Sequence, residues 1–178
     1  MVIPALSKGY MIDTGHIDPW WTTEHRSLAY HREPFNNTED VNRWRRMGYT
    51  HENFTGEMYD MKNPEPHWMK LDKFKQCFNF EHLSWSFYRM RTGDILPEHV
   101  DTFSRFKKIH DTSDRVVVRA LILMEDWQPG HYLDLDKKGY ANWKAGDWVL
   151  WTETAPHTAA NIGTADRYTL QLTGMVKL

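Results

Sequence analysis

The spacing of hydrophobic positions changes near residue 84 of this 178-residue chain. Before that point, apolar residues recur at three- and four-residue steps, the spacing of side chains on one helix face. Two segments have this pattern together with helix-ending signals, so we predict helices over residues 38–48 and 65–78. The rest of residues 1–83 is rich in turn residues and is expected to be irregular.

After residue 84 the period falls to two, and turn residues divide the chain into short segments. This alternation is typical of antiparallel strands in a sandwich or barrel. The predicted strands cover residues 83–91, 115–124, 131–136, 147–151, 158–161 and 167–176. Neither an internal repeat nor an interdomain linker is visible. We therefore predict one domain, 1–178, in which a helical and irregular part, 1–83, precedes a β-rich core, 84–178.

Charge and cysteine content narrow the classes of partner. The formal net charge is −2, with both signs scattered along the chain, which does not favour nucleic acid or an acidic membrane as a partner. Cys77 is the single cysteine, so no internal disulfide can form, which fits a cytoplasmic location. We expect neither a secretion signal nor a membrane span. Composition gives no indication of the oligomeric state.

A histidine and an acid two residues apart on an extended segment lie on the same face and can chelate a metal ion. The chain contains three such matches: His99-Val100-Asp101, His16-Ile17-Asp18 and His31-Arg32-Glu33. With 10 His and 24 acids, about 1.3 would arise by chance, so the spacing alone does not choose among them.

The C-terminal segment favours the first match. His157 is followed ten residues later by Arg167 and twelve later by Thr169, a combination expected only about 0.07 times by chance. Strand alternation puts Arg167 and Thr169 on one polar face. That face would meet water on a half-exposed strand, but in a barrel it would line a pocket. There the arginine fork could bind a carboxylate through two hydrogen bonds, and the threonine hydroxyl could add a third.

Two imidazoles and one carboxylate leave three metal positions open, the arrangement that suits non-haem Fe(II) and oxygen activation. The stretch from Trp85 to Gly174 contains His99-Val100-Asp101, directly preceded by Leu96-Pro97-Glu98 at the end of a turn. It also contains Pro156-His157-Thr158 near its end. It resembles the Fe(II)- and 2-oxoglutarate-dependent dioxygenases, in particular their prolyl and aspartyl/asparaginyl hydroxylase branches.

The resemblance implies a mainly β fold with flanking helices around a double-stranded β-helix, or cupin-like jelly-roll. It implies that His99, Asp101 and His157 are the catalytic iron ligands. It further implies that Arg167 holds the distal carboxylate of 2-oxoglutarate and that Thr169 is the hydroxyl often found two places later.

The implied reaction is hydroxylation of an amino acid, a peptide or another small molecule, with succinate and CO2 as co-products. The alternative is a cupin-like metal-binding protein or sugar isomerase, which shares the jelly-roll but needs no 2-oxoglutarate. Two further residues are candidates for co-substrate binding: Tyr88, which could equally be part of the core, and Arg119, which could instead form a structural salt bridge.

Overall fold

The computed structural model describes residues 9–35, 37–50 and 54–177. The strands in these ranges are β1 (Ile12–His16), β2 (His31–Arg32), β3 (Glu57–Asp60), β4 (Leu83–Met90), β5 (Ile95–His99), β6 (Arg115–Leu123), β7 (His131–Leu135), β8 (Lys138–Tyr140), β9 (Asp147–Thr152), β10 (His157–Asn161) and β11 (Arg167–Lys177). The helices are α1 (Thr38–Arg46), α2 (Leu71–Phe78) and α3 (Ser104–Ile109), with a short 3-10 helix at Glu24–Ser27.

The strands form two antiparallel sheets. The larger has seven strands in the order β1-β9-β6-β11-β4-β3-β2, and the smaller has four in the order β5-β10-β7-β8. This architecture confirms the expected mainly β, jelly-roll class with flanking helices. No helix among the described residues is both long enough and apolar enough to cross a bilayer.

The larger sheet is covered on both faces, and the alternation of its strands determines which residues lie on each. On β11, Leu170 and Leu172 belong to a cluster that includes Phe74 and Phe78 of α2. The residues between them lie on the opposite face, where a second apolar cluster includes Leu133 and others from the smaller sheet. Fully burying one such side chain contributes about 1.5–3 kcal/mol, so both clusters hold the layers together.

Several predicted boundaries differ from the structure. The second helix begins at Leu71 rather than at residue 65, because Lys70 has a φ of 51° and left-handed backbone cannot continue a helix. The first helix begins at Thr38, as predicted, but ends at Arg46 rather than at residue 48. Its N-cap is Asn37, whose side chain accepts a hydrogen bond from the Asp40 backbone N–H at 3.3 Å.

The part before residue 84 is not only helical and irregular, because β1, β2 and β3 extend the larger sheet. These strands have two to five residues, too few for alternation to distinguish them from loops. The sequence analysis also missed β5, β8 and α3. Residues 1–8 and 178 of the predicted domain, including the start on which the expected lack of a secretion signal rests, lie outside the described residues.

Candidate active site

The two candidate histidines are brought together by strand pairing. His99 ends β5 and lies directly opposite His157, the first residue of β10. Their ring centroids are 4.1 Å apart. Asp101 follows β5 by two residues, and its Oδ2 lies 3.8 Å from Nε2 of His157. One ligand atom from each of the three residues lies within 4.8 Å of the others, so together they can hold a metal ion.

Backbone carbonyls fix the orientation of both imidazoles. Nδ1 of His99 lies 3.0 Å from the carbonyl oxygen of Pro97, and Nδ1 of His157 lies 2.9 Å from that of Ala155. A carbonyl can only accept, so Nδ1 donates in each ring and the Nε2 lone pair remains available. Burial, with a contribution from His157, lowers the pKa of His99 to about 4, and burial also lowers the pKa of His157. Both rings are therefore neutral near pH 7, the form that binds metals.

Asp101 is held as a carboxylate. Burial raises its pKa, but Arg119 and the two histidines outweigh this effect and lower the pKa to about 2. The indole Nε1 of Trp151 donates to Oδ2 at 3.0 Å, while a guanidinium nitrogen of Arg119 lies 3.7 Å from Oδ1. The cluster therefore offers two neutral nitrogen ligands and one anionic oxygen ligand.

The three residues open onto a cavity of about 90 Å³. A water molecule needs roughly 10–15 Å³ by this kind of measure, so the cavity has room for several atoms of a small ligand. Side chains from both sheets and from the segment after β2 line it. They are Glu33, Phe35, Tyr88, Leu96, His99, Asp101, Arg119, Leu121, Leu133, Trp151, His157, Ala159, Arg167, Thr169 and Gln171. The polar face of β11 thus faces a pocket rather than bulk water.

One end of the cavity contains buried donors without acceptors. Arg167 is 3% exposed, and its NH1 contacts the sulfur of Met90 at 3.2 Å. Its Nε and NH2, and the hydroxyl of Thr169, have no hydrogen-bond partner among the described residues. Burial lowers the pKa of Arg167 to about 10, which still leaves the group charged near pH 7. An unpaired buried guanidinium is costly, so these donors fit a site for an anion such as a carboxylate.

The other two candidates for co-substrate binding also line the cavity, but both have protein partners. The phenol of Tyr88 donates to Glu33 Oε2 at 2.6 Å and accepts from the Gly56 backbone N–H at 2.6 Å. A phenol has one proton, so in this arrangement Tyr88 has none left to donate to a ligand. Arg119 donates to the side chain of Gln171 as well as lying near Asp101, while its Nε has no partner among the described residues.

One wall of the cavity was not predicted from the sequence. Glu33 and Phe35 follow β2, and the ring of Phe35 lies 5.4 Å from that of His99. The sequence pattern that could have indicated this wall is the match His31-Arg32-Glu33. Its acid, Glu33, lines the pocket, whereas its histidine is exposed and does not. In the remaining match, His16 pairs with Asp18 and Asp147 at an exposed position away from the cavity.

Comparison with known proteins finds similarity in structure only. No protein-family model and no curated protein matches the sequence. Among solved structures, a prolyl-4-hydroxylase from Pseudomonas putida matches with a TM-score of 0.55 and 17% identity over 96% of this chain and 95% of its own. A viral collagen prolyl hydroxylase from Paramecium Bursaria Chlorella virus-1, solved with 2-oxoglutarate, matches with a TM-score of 0.55 and 11% identity. The match covers 96% of this chain and 97% of the viral one.

A third similar structure is a prolyl hydroxylase from Trichoplax adhaerens in complex with a peptide fragment of the oxygen degradation domain of hypoxia inducible factor. Its TM-score is 0.56 and its identity 12%, over 94% of this chain and 84% of its own. The match to all three extends over nearly the whole of the present chain. The chain therefore has the fold of these prolyl hydroxylases.

Proposed function

We propose that this protein is an Fe(II)- and 2-oxoglutarate-dependent oxygenase that hydroxylates an amino acid, a peptide or another small molecule. Succinate and CO2 would be its co-products. The observation that carries the proposal is the presence of two complementary sets of groups in one cavity. One is the cluster of His99, Asp101 and His157, and the other is the set of unpartnered donors on Arg167 and Thr169.

Each set suits one of the two groups that such a reaction needs. The two neutral imidazoles and the ionised carboxylate would hold Fe(II), which has open positions in this ligand set. The guanidinium of Arg167 and the hydroxyl of Thr169 would bind the distal carboxylate of 2-oxoglutarate through charge-assisted hydrogen bonds. When bound, iron and the keto acid together supply the oxidising power to activate O2 against a C–H bond.

The remaining residues keep the site in this state. The Pro97 and Ala155 carbonyls orient the imidazoles, and Trp151 and Arg119 orient Asp101 and keep it ionised. Leu96, Leu121 and Leu133 supply apolar wall, which limits water beside the metal ligands. Tyr88 would donate to a bound ligand only by giving up Glu33, whereas Nε of Arg119 has no partner among the described residues and could donate directly.

Two features bear on substrate and setting. A neighbour of the same fold was solved with a peptide, which supports a peptide among the candidate substrates. The single cysteine of the chain supports a reducing compartment such as the cytoplasm, which we propose as the location.

The deciding experiment is anaerobic addition of Fe(II) and then 2-oxoglutarate to the metal-free protein. We expect a weak visible charge-transfer band only when both are present, and release of succinate after oxygen is admitted. Replacing 2-oxoglutarate with succinate provides the control, because it keeps the carboxylates and lacks the chelating keto group. A protein that binds Fe(II) but gives no band and no succinate would instead be a cupin-like binding protein or isomerase.

A further inference from the structure

Glu33 is an acidic side chain on a cavity wall that the chemistry proposed above does not use. It follows β2 on an extended segment in which alternate residues differ in direction. Glu33 and Phe35 line the cavity, whereas Pro34 between them is exposed and Arg32 reaches Asp94 at 2.9 Å. The carboxylate is therefore presented to the same space as the candidate metal ligands.

A closed ring of hydrogen bonds holds this carboxylate in place. The Glu33 backbone N–H donates to the Gly56 carbonyl at 3.0 Å, and the Gly56 N–H donates to the Tyr88 phenol at 2.6 Å. The phenol closes the ring by donating to Glu33 Oε2 at 2.6 Å. Gly56 has no room for a side chain, since an added Cβ would lie 2.6 Å from the Arg89 carbonyl oxygen. Side chains fixed in this way are typical of preorganised binding groups.

Glu33 forms no ion pair with any described residue, and Tyr88 is its one side-chain hydrogen-bond donor among them. Burial raises the pKa of its carboxyl, and the hydrogen bond from Tyr88 and, to a smaller extent, the charge of Arg119 partly offset this effect. A desolvated carboxylate with one donor is stabilised by a cation that enters the cavity. The co-substrate cannot be that partner, because 2-oxoglutarate is itself a dianion.

We propose that Glu33 is the substrate-recognition residue and that the substrate carries a cationic nitrogen, an ammonium or a guanidinium group, which forms an ion pair with it. This inference rests on the proposed function, because it takes the hydroxylated molecule to occupy the cavity beside the metal ligands. The ion pair would orient the substrate beside the proposed co-substrate site, because Tyr88, which holds Glu33, lies directly across from Thr169 in the pairing of β4 with β11. In the hydrogen-bonded ring, Oε2 of Glu33 accepts from Tyr88. Oε1 is therefore the oxygen that we expect to contact the cation.

The test uses pairs of probes that differ in one positive charge. The pairs are lysine and norleucine, arginine and citrulline, and a free amino acid and its N-acetyl form. Short peptides that contain the same residues are tested in parallel. Binding to the protein loaded with Fe(II) and 2-oxoglutarate is followed under argon by the change in the charge-transfer band, and turnover by succinate release. We expect at least one cationic probe to be preferred over its neutral partner by about tenfold or more, as for a desolvated ion pair.

Glu33→Gln separates charge from structure, because the amide oxygen can still accept from Tyr88. We expect this variant to lose the preference for cationic probes, while its affinity for 2-oxoglutarate stays within about twofold of wild type. The control is Glu39→Gln, which replaces an exposed glutamate on α1 and should change neither quantity. Equal use of charged and neutral probes, or a preference that persists in Glu33→Gln, would overturn the inference and leave the proposed function intact. A wild-type protein that forms no band would remove the proposed function first, and the inference with it.

Discussion

The two polar walls of the cavity differ in how their hydrogen bonds are satisfied. On the wall formed by β11, Arg167 and Thr169 are buried and have donors without acceptors among the described residues. On the wall formed by the segment after β2, Glu33, Gly56 and Tyr88 satisfy one another in a closed ring. The first wall has unpaired donors that an anion would satisfy, whereas the second holds the Glu33 carboxyl in a fixed position through hydrogen bonds within the protein.

This difference indicates which wall depends more on its ligand. Unsatisfied buried donors each cost about 1–3 kcal/mol, so an anion at Arg167 should stabilise the fold as well as bind. The ring already fixes the position of the Glu33 carboxyl without a ligand, so this wall can discriminate between ligands.

The largest effect is expected at the candidate metal ligands. His99→Ala and His157→Ala each remove a neutral nitrogen ligand, so iron affinity should fall by more than the roughly 10–100-fold typical of outer-shell changes. Metal analysis of the purified variants after anaerobic loading measures this. His16→Ala is the matched control, because it belongs to an exposed His-x-Asp match and should retain iron. Retention of full iron occupancy by both site variants would exclude this cluster.

The anion-binding wall should show the next largest effect. Arg167→Ala removes the proposed charged partner of 2-oxoglutarate, and losing one member of a desolvated charge pair costs about 2–5 kcal/mol. At about 1.4 kcal/mol for each factor of ten, 2-oxoglutarate should bind roughly 30-fold or more weakly. Calorimetric titration of the Fe(II)-loaded protein checks this. Arg91→Ala, at an exposed position just after β4, should leave the affinity unchanged.

The hydrogen-bonded ring of Glu33, Gly56 and Tyr88 can be disrupted without altering any charge. Gly56→Ala would place a methyl group 2.6 Å from the Arg89 carbonyl oxygen and 2.8 Å from the Tyr88 ring. We expect a loss of about 1–3 kcal/mol in the free energy of unfolding, as is typical of overpacking, measured by denaturant titration. Gly139→Ala on β8 has open space around its Cβ and should change stability by about 0.5 kcal/mol or less. Equal stability of the two variants would mean that the ring is not tightly packed.

The smallest effect concerns the segment that leads into β2. Just after β6, Glu125 accepts hydrogen bonds from His25 Nε2 at 2.7 Å and from Arg26 at 2.6 and 2.8 Å. Burial raises the pKa of Glu125, but these two partners outweigh it and lower the pKa from 4.5 to about 2.

Because the folded-state pKa of Glu125 is lowered, its stabilising contribution is present above pH 4.5 and is lost as the pH falls towards 2. We expect Glu125→Gln to be less stable than wild type by about 1–2 kcal/mol at pH 7, a value reduced for partial exposure. The difference should shrink over that acidic range. Thermal unfolding at a series of pH values measures it, and a difference independent of pH would assign the effect to packing.

The two walls also differ in how well they could be predicted from sequence. β10 and β11 alternate over five or more residues, and the candidate site residues on them are spaced at fixed intervals, so the polar face of β11 and the jelly-roll class were predicted correctly. The ends of β10 and β11 were also predicted to within about two residues, the usual range of uncertainty, whereas β5 was not predicted as a strand. The grouping of residues 1–178 as one domain, and the roles assigned to individual site residues, stay predictions.

The wall containing Glu33 could not be predicted, because it depends on contacts between distant parts of the chain. β2 has two residues and is held by β3, and Glu33 reaches its position through Gly56 and Tyr88. No local pattern shows that an acid after such a short strand faces a cavity. The pairing of Tyr88 with Glu33 was missed for the same reason, since 55 residues separate them.

The most direct test of the central claim is a crystal structure of the protein prepared under argon with Fe(II) and 2-oxoglutarate. We expect the metal to contact His99, Asp101 and His157, and the distal carboxylate of 2-oxoglutarate to contact Arg167 and Thr169. Metal bound elsewhere, or a co-substrate whose carboxylate does not reach Arg167, would contradict the account.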